Sequence, residues 1–366
     1  MLRDAERGCL VIVDISGYTQ LLVESELEHA QDALRDLTNT VLSTLRPRFR
    51  LAKLEGDAAF VYAIGEHQDG SLLLDTLDAA YFAFRRRLDA IARATTCRCN
   101  ACTRLPALNL KLIAHYGSFV RERQFGTDEL TGLDVIIVHR LLKNSVAATG
   151  LAAYALLTDA CLQATGLDPA SLGLLEHRET YDQIGEVRAW LQDMEARWRQ
   201  ELETRRHRVT PRQAWATLSA DIGAPPAVVW DYLTSPAHRA QLIPGVQRIE
   251  EVPAAGRRGT GTRNHCVHGD GATLEEFLDW RPFTYFTLDS RIPGLVHFVG
   301  TTELTEVDGG THVTVRLKPK TARDRATLEA IGPELLSIYE ATLRGLQELL
   351  AGEAVPSEET PAASPA

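Results

Sequence analysis

The apolar residues of this chain change their spacing once, near the middle, and that change limits the folds open to it. Up to about residue 192, short apolar runs alternate with long helical stretches. "CLVIVDI" reads as an apolar strand, and in "QLLVESELEHAQDALRDLTNTVLSTL" Leu34, Leu37, Val41 and Leu45 recur at helical spacing. "RFRLAKLEGDAAFVYAI" reads as two strands joined by a tight turn at Glu55-Gly56. A second long helix, "SLLLDTLDAAYFAFRRRLDAIARA", leads to the strand "LNLKLIAHYGSFV". A third helix starts in "TGLDVIIVHRLLKNS", and "YALLTDAC" and "YDQIGEVRAWL" read as later strands. Strand–helix–strand–strand–helix–strand is the order of a ferredoxin-like α+β core.

The stretch 193–211, "DMEARWRQELETRRHRVTP", carries Met194, Trp198 and Leu202 on a thin helical stripe and ends at Pro211. It is expected to be a helical linker. Beyond it come a strand, a short helix pair entered through proline, and then consecutive strands. In the last of these, Val313, Val315 and Leu317 alternate with polar neighbours. A long helix follows from Asp324 to Leu350, with Leu328, Ile331, Leu335, Ile338, Thr342 and Leu346 on one face. The expected division is therefore 1–192, a linker at 193–211, a second domain at 212–351 and a polar, Pro-rich tail at 352–366 too poor in apolar residues to pack. A chain of 366 residues agrees with two cores rather than one.

A formal net charge of −10 argues against non-specific nucleic-acid binding. No apolar run reaches the length of a membrane span, and the N-terminus lacks the pattern of a signal peptide. A cytoplasmic location is expected, with the six cysteines reduced unless they hold metal.

"KLEGDAAF" places Asp57 in an otherwise apolar hairpin, four residues after Lys53. A charge there needs a partner. "VDISGYT" puts Asp14 at the end of the first strand, with Ser16 and Gly17 opening the first helix. Free amides at such a turn suit a phosphate. Two carboxylates from neighbouring strands suit a hard divalent cation, Mg²⁺ or Mn²⁺, held against that phosphate.

These residues carry a family resemblance. "VDISGYTQLL", "KLEGDAAFVYA", "LKLIAHYGSF" and "GLDVIIVHRL" are similar, in order and spacing, to four motifs of class III nucleotide cyclases. The resemblance implies a purine nucleoside triphosphate as ligand and a homodimer, since in that family the site forms between two domains. It implies metal ligation by Asp14 and Asp57, base reading by Lys53, and transition-state stabilisation by Arg140. The acidic base-reading position falls at Asp128 or Glu129. Ile136 stands where the family has its catalytic asparagine, which favours binding over turnover. A working purine nucleotide cyclase and a non-catalytic dimerisation scaffold are the rival readings.

"CRCNACTR" places Cys97, Cys99 and Cys102 within six residues, a spacing open to Zn²⁺ or to unliganded thiols. Residues 212–351 resemble the START-like superfamily of polyketide cyclases and pollen allergens. That resemblance implies a helix-grip fold, a curved antiparallel sheet around the long helix, and a cavity for a hydrophobic small molecule. On the strand "RNHCVHGDG", Asn264, Cys266 and His268 share one face. Cys266 and His268 are expected at the polar end of the cavity, and Trp280, Leu335 and Ile338 on its apolar wall.

Overall fold

The computed structural model describes residues 5–352, apart from 25–26, 67, 95–102, 125–126 and 270. The cysteine cluster at Cys97, Cys99 and Cys102 and the tail from residue 353 lie outside the described residues. The chain divides into two compact units, Met1–Arg206 with Pro253–Arg258, and His207–Val252 with Gly259–Ala366.

The first unit opens with β1 (Glu6–Ser16), α1 (Tyr18–Glu24) and α2 (Leu27–Leu45), then β2 (Arg50–Glu55), β3 (Ala58–Ile64), α3 (Gly70–Ala94) and β4 (Asn109–Gln124). These strands lie in the order β2-β3-β1-β4, each antiparallel to its neighbours. That is the ferredoxin-like order read from the sequence. β5 (Thr127–Thr131) pairs with the end of β4, and α4 (Leu133–Arg140) follows. β6 (Tyr154–Thr158) joins β4 in parallel, and after α5 (Asp159–Thr165) the hairpin β7 (Leu175–Tyr181) and β8 (Gly185–Asp193) completes the sheet.

β1 is apolar throughout because both of its faces are covered. Cys9, Val11 and Val13 pack in a core with α2 and α3, while Leu10 and Ile12 pack in another with Val135 and Val138 of α4. Three elements differ from expectation. The first long helix is two helices, α1 and α2. β7 is not apparent in the sequence because "LEHRETY" is an edge strand, paired to β8 and polar between Leu175 and Tyr181. The expected linker helix is shorter: α6 (Met194–Glu203) buries Met194 and Trp198 in the first core and leaves Leu202 61% exposed. Trp198 sits 5.5 Å from Phe82 of α3, so this helix packs as part of the first unit.

A buried polar network joins two of the sequence motifs. His115 of β4 donates from Nε2 to Asp134 Oδ1 (3.1 Å), and its Nδ1 meets Thr158 Oγ1 at 2.8 Å. The Ser118 amide donates to Asp134 Oδ2 at 2.6 Å. Gly117 lies under the same carboxylate, where an added Cβ would stand 2.2 Å from Asp134 Cγ. The "HYGS" and "GLD" segments thus meet as a latch holding α4 on the sheet.

The second unit contains β9 (Ala216–Ile222), α7 (Pro226–Thr234), α8 (Pro236–Leu242), β10 (Arg248–Val252), β11 (Arg263–His268), β12 (Gly271–Arg281), β13 (Tyr285–Ile292), β14 (Val296–Val307), β15 (Gly310–Pro319) and α9 (Ala322–Gly352). Its sheet runs β10-β11-β12-β13-β14-β15-β9, all antiparallel. α9 contacts β9, β14 and β15 and buries Leu328, Leu335, Leu343, Leu346 and Leu350. This is the helix-grip, START-like arrangement. The buried seam includes Leu343 beside the expected Leu346, and Ile338 is 39% exposed.

Two outcomes follow for the latch. Gly117→Ala should destabilise the first unit by about 1–3 kcal/mol through overpacking, measured as a lower denaturant midpoint. The hydrogen bond from His115 holds the Asp134 carboxyl below its ordinary value of 3.8. Its stabilising contribution is present above that value and is lost as pH falls through the lower folded one. Asp134→Asn should therefore remove part of the acid limb of a stability–pH profile.

Candidate functional site

Pairing between β1 and β3 sets Asp14 opposite Ala58, one residue from Asp57 in the β2–β3 turn. The Ile15 amide donates to the Asp57 carbonyl at 3.4 Å, which ties that turn to β1. Gly56, at φ +67°, supplies the left-handed residue the turn needs. The β1–β3 register sets the two carboxyls at one end of β1 and β3, near enough for the charge of Asp57 to act on Asp14. Burial pushes both up from the ordinary carboxylate value, and for Asp14 the charge of Asp57 adds to the rise. Two desolvated carboxyls side by side favour a positive charge between them, so the pair fits a divalent cation. The described residues contain no cluster of three or more His, Cys, Asp or Glu side chains that could hold a metal. Mg²⁺ keeps several of its waters and is commonly held through one or two carboxylates, so the pair suffices.

One residue at this place was missed in the sequence. Lys111 of β4 is in register with Asp14, and its Nζ stands 3.9 Å from Asp14 Oδ2. It draws both carboxyls downward against burial. The signal was available: Lys111 is an isolated charge in the apolar strand "LNLKLIAHYGS".

Ser16 ends β1, and Gly17, at φ +94°, turns the chain into α1. Lys53 is exposed and pairs with Glu55 at 3.4 Å, and His139 of α4 stands 3.5 Å from the same Glu55. Arg140 is exposed and borders a surface depression of about 330 Å³ with Val135, Ile136, His139 and Lys143. Among the described residues, no contact joins Lys53 or Arg140 to either carboxylate. Asp128 is engaged, accepting from the Tyr62 hydroxyl at 2.6 Å with Arg121 at 3.6 Å, whereas Glu129 is exposed. Ile136 is 51% exposed, an apolar group facing solvent.

The second unit holds a cavity of about 320 Å³ between sheet and α9. Cys266, His268, Leu335 and Ile338 line it, as expected. Trp280 does not; it packs edge-on to Trp230 at 4.9 Å and Phe277 at 4.7 Å in the core beside it, while Phe286 reaches the wall. Sequence reasoning missed the most polar feature of the cavity. Arg239 of α8 and Glu275 of β12 form a buried, two-pronged ion pair at 2.9 and 3.1 Å. The Cys266 thiol lies 3.6 Å from Glu275, and burial pushes it up to about 12. A buried thiol beside a carboxylate is a poor nucleophile near neutral pH. His268 meets Thr273 Oγ1 at 3.3 Å instead of Cys266.

The sheet orders define a ferredoxin-like first domain and a helix-grip, START-like second domain, and a family comparison agrees for the second. Residues 213–351 match the family model described as polyketide cyclase / dehydrase and lipid transport. Residues 34–150 match one described as a protein of unknown function (DUF2652). The chain is 38% identical over 114 residues to an uncharacterized protein of Mycobacterium tuberculosis, a match covering 31% of this chain and 52% of that protein. The chain thus spans about half the length of the curated relative it matches. Among solved structures, the guanylyl cyclase Cya2 is 12% identical with a TM-score of 0.39, over 52% of this chain and 93% of that one. The adenylyl cyclase CyaB from P. aeruginosa is 14% identical with a TM-score of 0.37, over 53% and 97%. Protein MLL2253 from Mesorhizobium loti is 16% identical with a TM-score of 0.32, over 38% and 98%. No helix among the described residues is long and apolar enough to cross a membrane.

The chemistry assigned to Cys266 is open to direct measurement. Against an ordinary thiol near 8.5, its thiolate fraction at pH 8 should be roughly a thousandfold smaller. Peptide-level mass spectrometry after brief iodoacetamide treatment of the folded chain should find Cys266 unmodified. Rapid labelling there would contradict its burial and its raised thiol.

Proposed function

We propose that this chain is a ligand-responsive signalling protein. The cyclase-like domain binds a purine nucleoside triphosphate with Mg²⁺ or Mn²⁺, and the START-like domain binds a hydrophobic small molecule. The observation that carries the first half is the placement of the desolvated Asp14 and Asp57 carboxyls together at one end of β1 and β3. A pair of like charges in such surroundings is costly unless a cation joins them. Asp14 and Asp57 would hold that cation, and Ser16 and Gly17 would turn amides toward the phosphates. Lys111 brings one more positive charge to the same end. Lys53 and Glu129 would meet the base, and Arg140 the phosphate charge. When bound, the cation supplies charge neutralisation along the phosphates.

The resemblance to a family whose site forms between two domains supports a site completed by a second copy, hence a homodimer. Ile136 supports binding over turnover, because an apolar side chain cannot replace a positioned polar donor. The retained aspartates and Arg140 favour a second reading, a slow purine nucleotide cyclase regulated by the cavity ligand. The cysteines at Cys97, Cys99 and Cys102 remain a proposed Zn²⁺ site that would brace their segment. The cavity supports the hydrophobic ligand, and the family description of residues 213–351 points the same way.

Mn²⁺ with a non-hydrolysable purine triphosphate should raise the melting temperature of the full chain, by the equivalent of about 2.7 kcal/mol at 100 times the dissociation constant. Asp57→Asn should abolish that shift while leaving the metal-free chain as stable or more so, because carboxyl repulsion is relieved. An undiminished shift in the variant would defeat the metal-site reading. For turnover, Ile136→Asn should raise cyclic nucleotide formation on the order of 100-fold. In the cavity, Leu335→Trp should fill the space and remove stabilisation by apolar ligands without unfolding the domain, and an unfolded variant would mark the region as packed core.

A further inference from the structure

The cavity of the second unit is lined by apolar side chains and by polar groups whose charges cancel. Arg239 and Glu275 line it and are committed to each other through both terminal guanidinium nitrogens. Glu275 is held ionised below the ordinary carboxylate range, so the pair stays charged and its net charge is zero. Cys266 is a neutral thiol on Glu275. His268 is tied to Thr273.

Tyr339 of α9 lines the same space beside this pair. Among the described residues its hydroxyl has no hydrogen-bond partner. Burial pushes the phenol up, so it keeps its proton and remains a donor. Gly300 leaves room next to it: an added Cβ there would stand 4.0 Å from the hydroxyl. Tyr339 is half-buried, and a donor that faces a largely apolar space would gain a hydrogen bond from a ligand oxygen.

We infer that the cavity selects an uncharged, largely apolar molecule bearing a hydrogen-bond acceptor such as a ketone or ester oxygen, which the Tyr339 hydroxyl engages. An anionic ligand such as a fatty carboxylate is disfavoured. Its charge would be desolvated beside an arginine already committed to Glu275, and Glu275 would repel it. This selection rests on the proposed ligand-binding role of the second domain.

The test titrates the full chain at neutral pH with methylnaphthalene, acetylnaphthalene and naphthoate, all β isomers of one skeleton. Acetylnaphthalene should bind at least about tenfold more tightly than naphthoate, a gap of about 1.4 kcal/mol. Tyr339→Phe removes only an unpartnered hydroxyl and should fold. It should bring acetylnaphthalene down to the affinity of methylnaphthalene and leave methylnaphthalene unchanged. Naphthoate binding as tightly as the ketone, or a ketone advantage that survives Tyr339→Phe, overturns the selection while the cavity remains a binding site. If none of the three binds, the ligand-binding reading itself fails and the selection with it.

Discussion

A charge removed from water must find an opposite charge or a set of donors, and this requirement organises both halves of the chain. Asp78, buried in α3, is met by Arg197 of α6 at 2.7 Å. Asp134 takes the His115 ring and the Ser118 amide. Asp279, fully buried in β12, accepts from the His207 amide, the Arg281 guanidinium and the Tyr285 hydroxyl at 2.7–2.9 Å. Glu275 takes Arg239. The carboxyls of Asp14 and Asp57 depart from this pattern, since burial raises both and, among the described residues, the cation paired to Asp14 is Lys111 at 3.9 Å. Departures from local consistency collect at functional places, and that is the physical reason to read this pair as a binding site.

Much of the fold was legible because burial dictates period. β1 is apolar on both faces and could only be an interior strand, and the β2–β3 hairpin announced itself through Gly56. α9 was visible from its long leucine stripe. What escaped was set by contacts distant in sequence. β7 is polar because it is an edge, and nothing in "LEHRETY" tells an edge strand from a loop. Trp198 looked like part of a solvent-facing linker because its partner Phe82 lies in a helix over a hundred residues earlier.

The sites divide in the same way. Asp14 and Asp57 were proposed together from the order and resemblance of their motifs, and the β1–β3 register brings their positions to one end of the sheet. Lys111 and the Arg239–Glu275 pair could not, because register and helix docking bring them into place. Trp280, read as a wall of the cavity, went to the aromatic core around Trp230, because a β-bulge between Phe277 and Asp279 resets which residues face inward. Cys266 and His268 fell where strand alternation put them, yet their neighbours make them hydrogen-bonding groups rather than a nucleophile and its base.

The central claim is that Asp14 and Asp57 together hold one divalent cation with a purine nucleotide. Electron paramagnetic resonance of Mn²⁺, titrated into the full chain with a purine triphosphate, counts bound ions directly. One nucleotide-dependent Mn²⁺ per chain, absent in Asp14→Ala, is the result this account predicts. Equal Mn²⁺ binding by the wild-type chain and Asp14→Ala would contradict it.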